Sequence, residues 1–564
     1  MKIWRFIKRL FLGILILFVL LVAVGMTYLV IVSKIDEPVV KDTAILKTER
    51  TQLDTNFYSL GNNRLKKAES GLWEMYLEGN GFERGVAHGK LAKELVQQQE
   101  NYFVASIKKI IPSEFYLRFL KYFIGWFNRD LPNYVKEEYK QEIFGVSHSA
   151  SEEFDYIGSN YQRMLNYHAA HDIGHALQDK NMVVGCTSFA VWNADAEDSV
   201  LTIGRNFDFY VGDDFAKDKI VCFYNPDSGY KFMTITWAGF TGAVSGMNME
   251  GLTVTINAAK SEPPLASATP ISIVAREILQ YATTIDEALA IAKKRQTFVS
   301  ESILIGSAKD NRAALIEKSP AKTALFTPEG SRLICTNHFQ SPDFASDEMN
   351  QKQIKESASA YRYKRMEELL NESPEMDIQE AVDILRDRSG LGDSDIGMGN
   401  EKAVNQLLAH HSVIFQPAKK LVWVSTAPFQ LGDYVCYNLD SVFSVFPKLN
   451  QIEELTVDSL LIWEDDFVDS KSFEDFLFFK DIKNQMQEGL RMDEFTMNYD
   501  ATYAFEKSNP EYYLTYWLLG DYYAKNKQPH EAEICYEIAL TKEIATEPEQ
   551  KKIEDNLKKI REEK

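Results

Sequence analysis

Cysteine is scarce in this chain. Its 564 residues include five cysteines, and no two have the Cys-x-x-Cys spacing: Cys186, Cys222, Cys335, Cys436 and Cys535. This pattern argues against a zinc knuckle and against a disulfide framework. An odd number in an exported protein leaves at least one thiol free, and we expect that thiol to be Cys186.

Positive charge is also in short supply. Lysine and arginine total 62 against 82 aspartate and glutamate residues, so the formal net charge is −20. A protein with this net negative charge is not attracted electrostatically to nucleic acid or to anionic lipid. We therefore expect no nucleic-acid partner.

Metal and cofactor motifs are sparse as well. His168, His171 and His175 would share one face of a helix, a spacing that can hold a metal. No acidic residue completes a metalloprotease signature, so we interpret these histidines as part of a packed helix. The sequence predicts neither a metal nor a cofactor.

One long apolar run stands out against these absences. Phe11 to Val32 carries no charge, is long enough to cross a bilayer, and follows Lys2, Arg5, Lys8 and Arg9. A cleaved signal peptide is the alternative, but its apolar region would be unusually long and no clean cleavage site follows. We predict a retained single-pass anchor with the N-terminus in the cytoplasm and the catalytic part outside it, periplasmic or extracellular.

The dipeptide Gly185-Cys186 opens an apolar run that is typical of a buried strand. A cut between these residues would give Cys186 both a thiol nucleophile and a free α-amino group. The α-amino pKa of roughly 7.7–8.0 is close to the thiol value of roughly 8.5, so the amine can act as the base. The alternative is that Cys186 is a small buried hydrophobe.

A second extended run, Ser199 to Ile203, is expected to form a hairpin with the first and to turn at Gly204. This would bring Arg205 and Asp208 toward Cys186. An arginine there would lower the thiol pKa, and an aspartate would hold an ammonium group. A surface ion pair is the alternative interpretation.

With these residues in place, the chain resembles the N-terminal-nucleophile hydrolases of the penicillin acyltransferase and choloylglycine hydrolase kind. The resemblance runs from about Leu72 to about Leu439. It rests on segments that occur in the family's order: residues 81–89, Gly185 to Ser188, Gly204 to Phe209, Gly251 to Asn257, Cys335 to His338, Ala360 to Arg365, His411 to Phe415 and Leu421 to Ser425.

The resemblance implies roles for the site residues. Cys186 would be the nucleophile after self-cleavage, Asp208 would hold the new α-amino group, and Arg205 would favour the thiolate and orient the substrate. Asn337, with Asn257 second, would help form the oxyanion hole, while Arg362 would brace the site. Local turns at strand ends are the alternative for both asparagines. Arg205 matches the bile-salt-hydrolase branch, which favours hydrolysis over transfer.

The resemblance also implies an α+β fold, a four-layer α-β-β-α sandwich. We divide the chain into a basic tail (1–10), a transmembrane signal anchor (11–32), a stalk (33–71), a helical propeptide-like part (72–185), a catalytic core (186–440) and a helical tail (441–564). Trp517 to Leu540 resembles one tetratricopeptide-type helix pair. One repeat cannot bury a solenoid core, so we expect it to pack on the enzyme body, with binding of a protein partner as the alternative.

Three functions fit the sequence. The first is a self-processing amide hydrolase or acyltransferase acting on a small N-acyl substrate. The second is a papain-like cysteine hydrolase that pairs Cys186 with His338 and needs no self-cleavage. The third is a non-catalytic anchored scaffold that uses its helical tail. The acyl and amine groups of the substrate are left open.

Overall fold

The structure is a computed structural model of the full chain. It describes residues 2–111, 113–169, 185–209, 212–261, 267–445, 454–492 and 495–562. Strands and helices are numbered below in chain order within these ranges.

The chain begins with a long apolar helix, α1 (Lys2–Val32). Within Ile3–Val32, a stretch of 18 residues has a mean hydropathy of 3.0 and none of that stretch is buried, so the helix is long and apolar enough to span a membrane. The end of α1 rests on the body of the protein. There the backbone carbonyl of Ser33 accepts a hydrogen bond of 2.7 Å from Gln162.

The larger of the two sheets in the described chain has eleven strands, and all its pairs are antiparallel except the parallel pair β4–β7. In spatial order the strands are β1 (Thr51–Asp54), β2 (Phe57–Leu60), β3 (Asn63–Lys67), β4 (Trp73–Gly79), β7 (Ile220–Pro226), β8 (Phe232–Thr236), β9 (Ser245–Asn248), β10 (Leu252–Ala258), β11 (Glu301–Ser307), β12 (Arg312–Lys318) and β13 (Thr323–Phe326).

The second sheet has six antiparallel strands. In spatial order they are β14 (Arg332–Cys335), β5 (Thr187–Val191), β6 (Thr202–Phe207), β15 (His411–Gln416), β16 (Leu421–Ser425) and β17 (Tyr434–Asn438).

Helices precede, separate and follow these strands. They are α2 (Gly81–Leu91), α3 (Lys93–Ile110), α4 (Glu114–Phe127), α5 (Leu131–Tyr134), α6 (Glu137–Ser147), α7 (Asn160–His168), α8 (Ile271–Tyr281), α9 (Ile285–Lys294), α10 (Glu348–Glu356), α11 (Ser359–Glu372), α12 (Ile378–Leu385), α13 (Leu439–Val445), α14 (Lys471–Met492), α15 (Tyr499–Ser508), α16 (Tyr513–Lys525), α17 (Pro529–Ala539) and α18 (Glu547–Glu562). The predicted α+β fold is confirmed.

Side-chain alternation along the strands builds separate apolar clusters on the two faces of each sheet. In β7, Val221 and Phe223 pack with Ile203 of β6, so one cluster lies between the two sheets. Ile220 and Cys222 face the other way, into a cluster with α2, α6, α7 and α8. The outer face of the smaller sheet packs on α11 and α12.

The predicted hairpin that carries the site is confirmed, but it is longer than expected. Strand β5 pairs antiparallel with β6, and Ser188 lies opposite Arg205. The predicted turn at Gly204 is wrong, because Gly204 lies inside β6. A Cβ there would come within 2.4 Å of the Phe189 ring, so the glycine allows the two strands to pack closely.

The segment predicted as a stalk, residues 33–71, differs from an extended connector. It contains β1, β2 and β3, which extend the edge of the larger sheet. Leu60 and Leu65 are buried in the core, and Gly61 adopts a positive φ of 60° at the turn between β2 and β3. Backbone pairing with β4 and buried apolar side chains, Leu60 and Leu65 among them, therefore hold this segment on the sheet.

Of the three histidines considered as metal ligands, His168 is described. It is buried at the end of α7, and its Nε2 accepts a hydrogen bond of 2.8 Å from the backbone N–H of Thr241. His171 and His175 lie outside the described residues.

The helical tail contacts the core through the loop that precedes β15. Asn509 exchanges two hydrogen bonds with the backbone of Met398, at 3.0 and 2.8 Å. Asn400 donates to the carbonyl of Glu543 at 2.9 Å, and Lys402 forms an ion pair with the Glu543 side chain.

Candidate active site

Cys186 lies just before β5, on the side of the hairpin that faces the larger sheet. It is 1% exposed. Its thiol donates to the backbone carbonyl of Asp208 over 4.0 Å and accepts from Arg205 over 3.8 Å. The hairpin therefore brings together the three residues that its sequence predicts to meet. All five cysteines are free and buried, so Cys186 is not distinguished by lack of a disulfide.

Arg205 is a fixed, buried positive charge between the two sheets. Its guanidinium donates to the carbonyl of Val244 at 2.6 Å, and also to the Ser245 hydroxyl and the Ile256 carbonyl of the facing sheet. It also lies 4.3 Å above the centre of the Phe207 ring. These contacts hold the guanidinium beside the thiol, and no salt bridge joins it to a carboxylate within the part of the chain that the structure describes.

The expected lowering of the thiol pKa is reversed in the uncut chain. Burial raises the pKa of Cys186 to about 11, and the charge of Arg205 offsets only part of this rise. Asp208 and Glu301, both buried, raise it further. Burial of the site, which the sequence does not show, decides the direction of the pKa shift of the Cys186 thiol.

Asp208 carries a buried carboxylate for which no hydrogen-bond partner occurs in the described chain. Burial raises its pKa to about 7, although Arg362 and Arg205 act in the opposite direction. Its backbone carbonyl accepts from the N–H of Gly185 at 3.2 Å. Among the described residues this carboxylate is thus unpaired, and the Asp208 backbone contacts the segment that contains the Gly185–Cys186 bond.

Arg362, on α11, makes more contacts with this segment than the bracing role suggested. It donates to the carbonyls of Gly185 and Cys186 at 2.6 and 2.8 Å, and to the Thr187 hydroxyl at 2.6 Å. Its other terminal nitrogen donates to the side-chain oxygen of Asn337 at 2.7 Å.

Both predicted oxyanion donors reach the same region from strand ends. The amide of Asn257, on β10, donates to the Cys335 carbonyl at 2.9 Å and accepts from the Ser188 hydroxyl at 2.9 Å. The amide of Asn337 donates to the Ala258 carbonyl at 3.0 Å. The Asn257 amide also donates to the Thr336 carbonyl at 3.4 Å. A side-chain amide has two N–H donors, so the single bond that the Asn337 amide donates among the described residues leaves its second N–H available.

Gln406 belongs to the site and was missed from the sequence. Its Nε2 donates to the Gly185 carbonyl at 2.8 Å, and the side chain is buried. It lies in the irregular loop before β15, in no segment that carries the resemblance. No local pattern could have identified it.

The papain-like alternative requires a contact between His338 and Cys186, and the described residues do not show it. His338 interacts with the hydroxyls of Thr336 and Ser359 at 3.1 and 2.8 Å. Burial lowers the pKa of this histidine to about 4. Within the described ranges it forms no hydrogen bond with Cys186.

An aromatic cavity lies near the site. Phe207, under the Arg205 guanidinium, stacks on Phe209 with ring centres 5.7 Å apart. Phe209 is one of the aromatic residues that line the cavity, together with Phe103, Tyr167, Phe215, Trp237 and Phe240. The cavity also contacts α3 and α7, so it lies between the helical part and the core.

Comparison with known families gives a partial match. Residues 192–429, less than half of the chain, match the family model of acyl-coenzyme A:6-aminopenicillanic acid acyl-transferase. The match includes every predicted site residue except Gly185 and Cys186, and also includes Gln406. It supports the resemblance to N-terminal-nucleophile hydrolases.

Two relatives match over a similar length. An uncharacterized protein of Archaeoglobus fulgidus is 26% identical over 273 residues, which is 45% of each chain. Protein dcd1B of Dictyostelium discoideum is 23% identical over 274 residues, 45% of this chain and 52% of its own. The chain therefore spans about half the length of these curated relatives.

Similar solved structures overlap with 41–45% of the chain. An N-acylethanolamine-hydrolyzing acid amidase ortholog of Caenorhabditis elegans is 18% identical, with a TM-score of 0.31 and 93% of that chain covered. The conjugated bile acid hydrolase of Clostridium perfringens is 12% identical (TM-score 0.31, 92% covered). Penicillin V acylase of Agrobacterium tumefaciens is 14% identical (TM-score 0.31, 86% covered).

Proposed function

We propose that this chain is a membrane-anchored, extracytoplasmic cysteine hydrolase of the N-terminal-nucleophile kind. It cuts itself between Gly185 and Cys186, and then cleaves a linear amide bond of an N-acyl substrate or transfers its acyl group. The observation that carries this proposal is the buried carboxylate of Asp208, which has no hydrogen-bond partner among the described residues and belongs to a residue whose backbone contacts Gly185 of the glycine-cysteine bond. Self-cleavage creates the ammonium group that this carboxylate lacks.

The proposed turnover uses the residues gathered around Cys186. The new α-amino group takes the thiol proton, and the thiolate adds to the substrate carbonyl. Asn337 and Asn257 donate to the resulting oxyanion. The amine leaves with the proton, and water or an acceptor amine then resolves the thioester.

We also propose the α-β-β-α layer order for the catalytic body. It is supported by the cluster between the sheets and by the clusters that join each outer sheet face to helices. The basic residues in the first turns of α1, ahead of its uncharged apolar stretch, support an orientation with the N-terminus in the cytoplasm.

The aromatic cavity supports an apolar acyl group as the substrate's recognition element. Its aromatic lining reaches the Arg205 site through the Phe207–Phe209 stack. Apolar walls with few polar groups are typical of small-molecule sites.

The test is the mass of the purified full chain. We expect two fragments that meet at Gly185 and Cys186, whereas Cys186→Ala stays uncut. Cys436→Ala is the matched control, because Cys436 is also free and buried but lies on β17, and it should be cut like the parent. Cleavage of Cys186→Ala at the parent rate would refute the mechanism.

A further inference from the structure

The carbonyl oxygen of Gly185 accepts from two buried side-chain donors. Arg362 Nη1 lies 2.6 Å from it and Gln406 Nε2 lies 2.8 Å from it. The two side chains are 2% and 1% exposed. Donors held rigidly in a water-excluded site, about 2.7–3.1 Å from the position that an oxyanion will occupy, stabilise its developing charge. Here both donors already bind the carbonyl oxygen that would become the oxyanion.

We propose that Arg362 and Gln406 form a second oxyanion site, dedicated to self-cleavage and separate from the asparagine donors that serve the substrate. This inference rests on the self-cleavage part of the proposed function. Asn257 and Asn337 make no hydrogen bond to Gly185 in the described chain; they donate to Cys335, Thr336 and Ala258 instead.

The absence of a side chain at position 185 makes this contact possible. A Cβ on Gly185 would lie 2.3 Å from Gln406 Nε2 and 2.6 Å from its Oε1. No real Cβ is found so close to another heavy atom. The glycine is therefore explained by the approach of the glutamine amide to the carbonyl.

The backbone is fixed on both sides of the Gly185–Cys186 bond as well. The N–H of Gly185 donates to the Asp208 carbonyl at 3.2 Å, and Arg362 Nη1 also donates to the Cys186 carbonyl at 2.8 Å. The carbonyl carbon of Gly185 is thus held in place while its oxygen faces one charged and one neutral donor.

The reaction balances with water as the only co-reactant. The Cys186 thiol gives its proton to the Asp208 carboxylate, and Sγ bonds to the Gly185 carbonyl carbon, whose oxygen becomes negative between Arg362 and Gln406. The C–N bond then breaks as the proton passes to nitrogen, leaving a thioester. Water hydrolyses the thioester to the Gly185 carboxylate and the free thiol.

The experiment follows fragment formation in the full-length chain. Gln406→Met keeps the size of the side chain and removes the donor, and we expect cleavage to slow by roughly 10²–10³-fold, the usual loss for one oxyanion donor. Gln416→Met is the matched control, because Gln416 is a buried glutamine whose amide donates to Thr202 at 3.3 Å. It should be cut at the parent rate.

A second variant separates catalysis from folding. In Gln406→Glu, a protonated carboxyl can donate but an ionised one repels the oxyanion. We therefore expect its cleavage rate, relative to the parent, to fall as the pH rises. A purely structural role would give a constant ratio.

The outcomes distinguish the two proposals. A parent chain that yields no fragments, or a Cys186→Ala chain that is cut, contradicts the proposed function. A parent that is cut, together with Gln406→Met at the parent rate or a Gln406→Glu ratio independent of pH, overturns only the second oxyanion site.

Discussion

The sharpest prediction concerns Asp208, because its buried carboxylate has no hydrogen-bond partner among the described residues. We consider Asp208→Asn in the Cys186→Ala background, where the chain stays whole. Burial raises the Asp208 pKa from its ordinary 3.8 to about 7. At roughly 1.36 kcal/mol per pKa unit, this rise corresponds to about 4 kcal/mol.

Proton linkage determines whether the free energy of unfolding rises or falls with pH. Between pH 3.8 and about 7 the folded state holds a proton on Asp208 that the unfolded state has lost. The free energy of unfolding therefore falls as the pH rises through this range. Asparagine does not titrate, so Asp208→Asn gains stability relative to its parent by up to about 4 kcal/mol between pH 4 and pH 8. The cost of burying a neutral polar group cancels in this difference.

The assay is denaturant unfolding of both full-length variants in detergent at pH 4 and pH 8, followed by tryptophan fluorescence. Glu142→Gln is the control, because its stability relative to its parent should change with pH in the opposite direction. Burial raises the pKa of Glu142, but Arg276 and Arg84 outweigh it and the net pKa is lowered. A stability difference between the Asp208 variants that does not change with pH would mean that the carboxylate is already paired, and would refute the argument.

Two further predictions concern the asparagine donors and the tail. In folded, processed protein, Asn337→Ala and Asn337→Asp should both lose turnover by roughly 10²–10³-fold while a substrate-like amide still binds; an unchanged kcat in either would remove Asn337 from the oxyanion hole. Asn509→Ala removes both hydrogen bonds to Met398 and should slow self-cleavage by loosening the loop that carries Gln406. The control is Asn526→Ala, which loses a bond of 2.9 Å to Tyr522 within the tail and should not slow self-cleavage. Equal cleavage rates for these two variants would contradict that role of the tail.

The hairpin could be predicted because it depends on residues that lie close together in the sequence. Two apolar runs and a polar turn give β5 and β6, and the pairing of Ser188 with Arg205 then places Arg205 beside Cys186. The turn was placed wrongly at Gly204, because a glycine in a strand marks either a turn or a close approach. Here it makes room for the ring of Phe189.

The rest of the site depends on contacts between distant parts of the chain. Asn257, Asn337 and Arg362 were found through family resemblance, not through spacing. Gln406 meets Gly185 across 221 positions, from a loop without periodicity, so nothing local marks it. The direction of the Cys186 pKa shift could likewise not be predicted from the sequence, because it depends on how completely the surrounding strands exclude water.

The loop between α12 and β15 connects the helical tail to the proposed cleavage site. Its first part is held by tail residues, through Asn509 at Met398 and Glu543 at Lys402. Its later part presents Gln406 to the Gly185 carbonyl. Electrostatic interactions of both signs also couple this loop to the tail. Burial raises the pKa of Glu401 and Glu549 of the tail adds to the rise, whereas Lys483 and Arg362 oppose it. Because one loop bears both sets of contacts, we expect the tail to support the proposed self-cleavage from within the chain.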